Sequence, residues 1–309
     1  MMAPAEKLKV CGIELKITDR CNQQCFHCVN EDGHSGRDLD CTGFIHRLQE
    51  WKRCEQALGW SVREVRMTGG EPLMHAAGVA RIARACRELG IKSGINTNAI
   101  ILSLPMAERL KDSGLSLMKV SYDASDEETL KRIRGTQASL ARLEENLSMI
   151  ATLGFELVLR FSLCRYNAHQ FPQVYRNARR LKAQRLQIKP LIPCGRALLS
   201  DAFLTREEIN RAFGTLASLA DEDGTAVEIL CWPPEDCSGL PSKLCGSTNK
   251  IYVAPDGQTT ICNYVSQAKP LGNFIDGRLS EILARHQESI ARNSRGQCFV
   301  AGCPQAPFF

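Results

Sequence analysis

Along the first two hundred residues, short β-type runs alternate with amphipathic helical stretches, and this alternation restricts the possible folds more than any other feature. "GIELKIT" (12–18), "REVRMT" (63–68), "KSGINT" (92–97), "SLMKVSYD" (116–123), "FELVLRFSL" (155–163) and "RLQIKPLI" (185–192) read as strands. Helices are expected around 42–58, near 78–89, at "PMAERLKDSG", over 139–153 and over 170–182. Val79, Ile82, Ala83 and Cys86 recur at helical spacing, while Pro105 and Gly114 bracket the helix that follows. Six β-then-α units in series imply an α/β fold with a parallel sheet and right-handed crossovers. Periodicity leaves open whether that sheet is flat or curls into a partial barrel. Thr205, with Glu208 three residues on, reads as a capping box that opens a helix over 206–221.

After about residue 225 the pattern changes, and Pro, Gly and Cys become dense. "NKIYVAPDGQTTICNYV" reads as a hairpin around Asp256-Gly257, and a helix is expected over 280–294. The expected division is residues 1–225 and a small second domain over 226–309.

Fifteen cysteines need an explanation. The amino terminus "MMAPAEKLKV" has no apolar core of a signal peptide, and no apolar run reaches membrane-spanning length. A cytoplasmic protein with no membrane partner is therefore expected. In that reducing compartment metal or redox chemistry accounts for cysteines better than a disulfide framework, though several will simply be buried hydrophobes. The net charge of +5 is spread along the chain, which argues against nucleic acid and allows an anionic small substrate.

"DRCNQQCFHCVN" (19–30) carries Cys21, Cys25 and Cys28 directly after the first strand, at the sheet end where parallel α/β folds place their chemistry. Thiolates select zinc, copper(I) or iron–sulfur clusters. A closed zinc site needs a fourth ligand, for which His27 and His34 are in reach by sequence. A four-iron cluster on three thiolates instead keeps one iron open. Both remain possible on spacing alone.

C-x3-C-x2-C after a first strand resembles the signature of the radical S-adenosylmethionine (SAM) superfamily, and further stretches stand where that family would put them. "MTGGEPL" matches its Gly-Gly-Glu-Pro motif at Gly69, Gly70, Glu71 and Pro72. "INTNA", which includes Asn98, matches a Thr-Asn-Gly pattern with Ala99 in place of Gly. "VSYDAS" supplies Ser121 and Asp123, and "LKRIRGT" supplies Arg134. "RFSLCRYN" and "KPLIPCGRA" resemble the fifth and sixth strands of the subgroup with extra clusters, so the likeness runs over about residues 10–200. It implies a partial (β/α)6 TIM-like barrel and a [4Fe-4S] cluster on Cys21, Cys25 and Cys28 whose open iron chelates SAM. One electron then cleaves a carbon–sulfur bond of SAM, and the resulting 5′-deoxyadenosyl radical abstracts a hydrogen atom. By the same resemblance the glycines allow close approach to the SAM amino group, Ser121 and Arg134 hold its ribose and carboxylate, and His27 lies near the adenine in place of the commoner Tyr or Phe. A flavodoxin- or ferredoxin-type electron donor is implied as well.

Cys245, Gly257 and Cys262 spell C-x11-G-x4-C, and Cys298 and Cys303 lie near the carboxyl terminus. This resembles the family's shorter "twitch" region, which implies one auxiliary [4Fe-4S] cluster on Cys245, Cys262, Cys298 and Cys303. Cys231 or Cys237 could take the fourth place, and a zinc knuckle on the same residues is the structural alternative.

Lys16, Arg66, Lys119, Arg160 and Lys189 fall in or beside expected strands, where basic residues are uncommon. Each is expected either to bind an anionic group in the site or to face the helix layer and solvent. Twenty residues precede Cys21, so no amino-terminal peptide-recognition domain is expected, and the chain resembles enzymes that tailor sugars and nucleosides in antibiotic pathways. Decarboxylation of a uronic acid, with Lys16, Arg160 and Lys189 as the cationic clamp, is preferred. Epimerisation would need a thiol donor, best placed at Cys194, with Cys164, Cys231 and Cys237 as other spare thiols; dehydrogenation would need an electron acceptor. The alternative is a radical SAM peptide maturase, and a remote third reading is a zinc-bound, nucleic-acid-associated protein.

Overall fold

The computed structural model describes residues 8–30, 36–220, 226–230, 242–243, 250–262 and 269–291. Its first half is β1 (Lys9–Lys16), α1 (Cys41–Leu58), β2 (Trp60–Thr68), α2 (Ala76–Glu88), β3 (Lys92–Thr97), α3 (Leu104–Asp112), β4 (Leu117–Ser121), α4 (Glu127–Arg134) and α5 (Leu140–Thr152). Then follow β5 (Glu156–Leu163), α6 (Phe171–Arg180), β6 (Arg185–Pro190), α7 (Arg206–Ala220), β7 (Ala226–Leu230), β8 (Ser242–Lys243), β9 (Lys250–Val253), β10 (Gln258–Thr260), β11 (Gly272–Asn273) and α8 (Leu279–Ala291). The strands form one sheet in the order β11-β10-β9-β1-β2-β3-β4-β5-β6-β7-β8. Every pairing from β9 through β1 to β8 is parallel, and only β10 and β11 run antiparallel at one edge. Side chains on one face of β2 to β6 line a single cavity, so the sheet curls into the expected partial barrel.

Toward their carboxyl ends β5, β1 and β2 alternate. In β5, Leu157, Leu159, Phe161 and Leu163 are buried, whereas Arg160 and Ser162 between them are only partly covered. β1 repeats this with Ile13 and Leu15 against Glu14 and Lys16, and β2 with Val65 and Met67 against Glu64, Arg66 and Thr68. A period of two puts alternate side chains on opposite faces. The apolar set packs with the helices: Phe44, Leu48 and Trp51 of α1, Val79 and Ile82 of α2, and Leu147 and Ile150 of α5 join Ile13, Val65 and Phe161 in one core. Trp51 is fully buried and its indole N–H donates to the Trp60 carbonyl at 3.0 Å, satisfying its one polar group.

Four elements were not expected: α4, β7 and the two-residue strands β8 and β11. α4 has eight residues, too few for periodicity to register, yet Asp126 caps it by accepting from the Thr129 amide at 2.8 Å. β7, "AVEIL", lies beyond residue 225 yet pairs with β6, and β9 pairs with β1, so the sheet runs across that change of composition. The capping box is present: the Thr205 amide donates to Glu208 at 2.8 Å, and the Glu208 amide donates to the Thr205 hydroxyl at 3.2 Å. Among the described residues no helix is long and apolar enough to cross a membrane.

Candidate active site

The cysteine loop hangs from the end of β1 and is fixed from three sides. On the first, the turn after β2 is stitched to it: the Gly70 amide donates to the Thr18 carbonyl and the Glu71 amide to the Arg20 carbonyl, both at 2.7 Å. A Cβ on Gly69 would lie 2.5 Å from the Thr18 carbonyl oxygen, and one on Gly70 would collide with the Arg20 carbonyl. The two glycines are therefore needed for contact between two stretches of this chain. Glu71, fully buried, accepts from the Asn98 amide at 2.7 Å, the Thr97 hydroxyl at 2.5 Å and the Leu73 amide at 3.0 Å. Burial pushes its carboxyl up, while these three donors pull it down. Asn98 continues the network, donating to the Asn22 side chain at 2.8 Å inside the cysteine loop. Pro72, also buried, opens the short 3-10 turn that follows.

On the second side α4 grips the loop, with the Phe26 amide donating to the Ile133 carbonyl at 3.1 Å. On the third, the turn after β6 closes over it: the Arg196 amide donates to the Cys28 carbonyl at 3.0 Å. Gly195 there has φ +56, and a Cβ would meet that same carbonyl. "PCGRA" thus packs on the third cysteine through a position that favours glycine on both counts.

Cys21, Cys25 and Cys28 line a solvent-open cavity at the carboxyl ends of the strands. With them stand Asn96, Ser121, Ser162, His27, Cys194 and four basic residues, Arg134, Arg160, Lys189 and Arg196. Burial pushes the Cys21 thiol up to about 11, so metal ligation is what would remove its proton. Among the described residues no three His, Cys, Asp or Glu side chains converge to hold a single metal ion. A [4Fe-4S] cluster makes a different demand, since its three thiolates bind three different irons.

The cavity also holds buried polar atoms that lack partners among the described residues: the Arg134 Nε, the Arg196 Nε and the Asn96 Oδ1. Buried donors and acceptors without a protein partner call for an explanation, and a bound polar ligand supplies one. Two cationic donors and one acceptor beside three thiols fit a zwitterion carrying a carboxylate and an ammonium, which is the chemistry of SAM. Arg134 is already engaged through its other nitrogens, one paired with Asp123 and one donating to the Cys25 sulfur at 3.7 Å. Asp123 is fully buried, accepts from the Ser162 amide at 2.7 Å, and is held below the usual carboxylate range by Arg134 despite its burial. His27 stands edge-on to Phe26 at 5.2 Å and 4.0 Å from Asp123. Burial lowers its pKa to about 4, so a neutral imidazole faces the cavity.

The expected basic residues divide. Arg160 and Lys189 line the cavity. Lys16 is bridged to Asp19 at 2.6 Å, Arg66 pairs with Glu64, and Lys119 donates to Gln187 at 3.0 Å; none of these three lines it. Arg196 was missed, although it stands two residues past Cys194 in a motif already singled out. Its signal was the Gly before it, which lets the turn fold back onto the cysteine loop. Asn96 was missed as well; in β3 it is the partly covered residue between buried Ile95 and Thr97. Cys262 is buried beyond β10, while Cys245, Cys298, Cys303, Cys231, Cys237 and His34 lie outside the described residues.

This architecture is shared with known enzymes. The Radical SAM superfamily profile matches residues 15–178, more than half of the chain. The PqqA peptide cyclase of Granulibacter bethesdensis is 26% identical over 257 residues, covering 82% of this chain and 67% of that one. A GTP 3′,8-cyclase of Clostridium botulinum is 26% identical over 293 residues, covering 91% and 90%. Among solved structures, Streptococcus suis SuiB bound to its precursor peptide SuiA superposes with a TM-score of 0.72 at 15% identity, over 90% of this chain and 65% of that one. The anSMEcpe enzyme with bound AdoMet superposes with a TM-score of 0.67, also at 15% identity, over 90% and 82%. With a three-cysteine loop at the strand ends and a profile match over most of the barrel, the chain belongs to the radical SAM superfamily, whose cofactors are S-adenosylmethionine and a [4Fe-4S] cluster.

Proposed function

We propose that this chain abstracts a hydrogen atom from a peptide substrate and that an acidic group of the peptide docks on Arg160 and Lys189. The observation that carries the reading is the charge of the cavity. Among the described residues no carboxylate bridges Arg160 or Arg196, and the cavity's carboxylates are Asp19, committed to Lys16, and the buried Glu71. A cationic wall of this kind selects an anion by charge-assisted, fork-like hydrogen bonds. Relatives named for peptide cyclisation, and a fold shared with an enzyme seen holding its precursor peptide, support a peptide as the carrier of that anion. This moves the preferred reading away from a free uronic acid.

SAM bound at the reduced cluster supplies hydrogen-atom abstraction. Cys21, Cys25 and Cys28 would ligate the cluster; Arg134 and Arg196 would meet the SAM carboxylate, Asn96 its ammonium and Ser121 its ribose. Gly69 to Pro72 keep the loop in place. Arg160 and Lys189, one strand apart, would orient the substrate's acidic group and leave a carbon–hydrogen bond facing SAM. Cys194 would serve as a hydrogen donor if the abstraction is followed by inversion. Cys262, with Cys245, Cys298 and Cys303, would hold an auxiliary cluster that takes up an electron, supplied or removed through a flavodoxin- or ferredoxin-type protein.

A nucleotide or uronic acid is the second reading, favoured by the same cationic wall and by the relative acting on GTP, matched over 90% of its length. Anaerobically reconstituted protein is given reductant, SAM and either Glu-containing peptides deuterated at carbon, GTP, or a nucleoside uronic acid. Deuterium is expected in 5′-deoxyadenosine from a peptide, with a matching mass change in that peptide. Transfer from GTP or the uronic acid, and from no peptide, overturns the peptide reading.

A further inference from the structure

The contact between Arg134 and Cys25 is not explained by holding SAM. Arg134 ends α4, and its side chain runs back beneath the cysteine loop with 9% of its surface exposed. One terminal nitrogen pairs with Asp123, the other donates to the Cys25 sulfur at 3.7 Å, and Nε remains without a partner among the described residues. Asp123 has no exposed surface, and its other oxygen is fixed by the Ser162 amide. Both charges are thus held where the surroundings screen them weakly, and the guanidinium can neither rotate away nor lose its proton.

We propose that Arg134, poised by Asp123, sets the reduction potential of the cluster bound at Cys25 by donating a hydrogen bond to that ligand's sulfur. Reduction adds one electron, drawn from an external low-potential donor, and makes the cluster one unit more negative. A cationic donor on a ligating sulfur stabilises the more negative state, because cluster potentials follow net charge and hydrogen bonding to sulfur. Asp123 acts in the opposite sense. Its carboxylate offsets the guanidinium charge and keeps the potential from rising so far that the reduced cluster loses its driving force towards SAM. Held as a pair, the two deliver a directed hydrogen bond with little net charge.

A purely architectural role, in which the pair only ties α4 to the end of β4, makes a different prediction. Loss of either partner would then loosen the loop, and both losses would act alike. The proposal instead requires opposite signs. In Arg134→Gln the donor charge is lost and the midpoint potential moves negative. In Asp123→Asn the isosteric amide keeps an acceptor for the Ser162 amide, the guanidinium charge is left uncompensated, and the potential moves positive. Arg134→Lys keeps the charge and lies between Arg134→Gln and wild type.

The test is an EPR-monitored redox titration of the reconstituted full chain without substrate; the relevant cluster is the one whose signal changes when SAM is added. Opposite shifts in Arg134→Gln and Asp123→Asn support the proposal. Shifts of the same sign, or no shift in either, overturn it. Should Arg134→Gln fail to retain its cluster, Asp123→Asn decides alone: a positive shift supports, and an unchanged or negative potential overturns. The proposal rests on the family's cluster and not on the peptide reading, so its failure leaves that reading untouched.

Discussion

The two faces of the barrel strands share a backbone and differ in almost everything else. On the convex face of β5, Leu159 and Phe161 are sealed among helices; between them, on the concave face, Arg160 looks into the cavity with no carboxylate partner among the described residues. The convex residues are interchangeable in kind, since any apolar side chain of similar volume would serve. The concave residues are individually specified, because each buried charge must meet a partner or await one. Adjacent positions in one strand therefore answer to stability and to chemistry separately.

Four experiments break or sharpen this contrast. The largest effect belongs to the loop that the concave face serves. Cys21→Ala, Cys25→Ala or Cys28→Ala should each abolish 5′-deoxyadenosine formation while the circular dichroism of the barrel survives. SAM cleavage retained in any of them contradicts the ligand assignment.

Next come the neighbours on β5. Phe161→Ala should cost about 3–5 kcal/mol in denaturant unfolding, the usual loss for a truncated core aromatic. Arg160→Ala should change stability by less than about 1 kcal/mol, yet lower kcat/KM about 10- to 100-fold, as expected for one charged hydrogen bond to substrate. If Arg160→Ala unfolds the protein as readily as Phe161→Ala, the two faces do not divide their labour.

Lys119 tests the concave face below the cavity. It is 8% exposed, and burial, reinforced by Arg66 and Arg160, lowers its pKa from 10.5 to about 6. Between those values the unfolded chain binds a proton that the folded chain does not. Stability contributed by this site should therefore rise with pH from about 6 towards 10.5, and below about 6 the full cost of the buried charge is present. Lys119→Met should remove that slope from a series of unfolding curves. An identical slope in the mutant would place its origin elsewhere.

The smallest expected effect is at Ala99. This fully buried alanine has φ +58, in the left-handed region, where the family pattern has glycine. Ala99→Gly relieves strain of about 1–2 kcal/mol and gives back part of that through the more flexible unfolded chain. A net gain of up to about 1 kcal/mol is expected in thermal unfolding. A loss would mean that the buried methyl outweighs the backbone.

Much of this was legible in the chain itself. "FELVLRFSL" and five other segments read as strands, and their succession with helices between them told that the sheet is parallel. α4 was invisible because eight residues are too few to show a period, and β7 because "AVEIL" lies where the composition has already changed. Lys16 and Arg66 carried their own answer, since Asp19 and Glu64 stand three and two residues away, but nothing local told that those pairs would form.

The sequence by itself determined the spacing of Cys21, Cys25 and Cys28, the two glycines and Glu71 after β2, and the basic residues on alternate strand positions. These are properties of contiguous segments, written in side-chain type and period. Only the tertiary structure decided that Gly69 and Gly70 serve the approach of β2's turn to Thr18 and Arg20, that Arg196 reaches the cavity, and that Arg134 lies between Asp123 and the Cys25 sulfur. Those relations join residues far apart in the chain. They exist because curling the sheet brings the ends of its strands around one cavity, where each charge finds its counterpart by distance rather than by sequence.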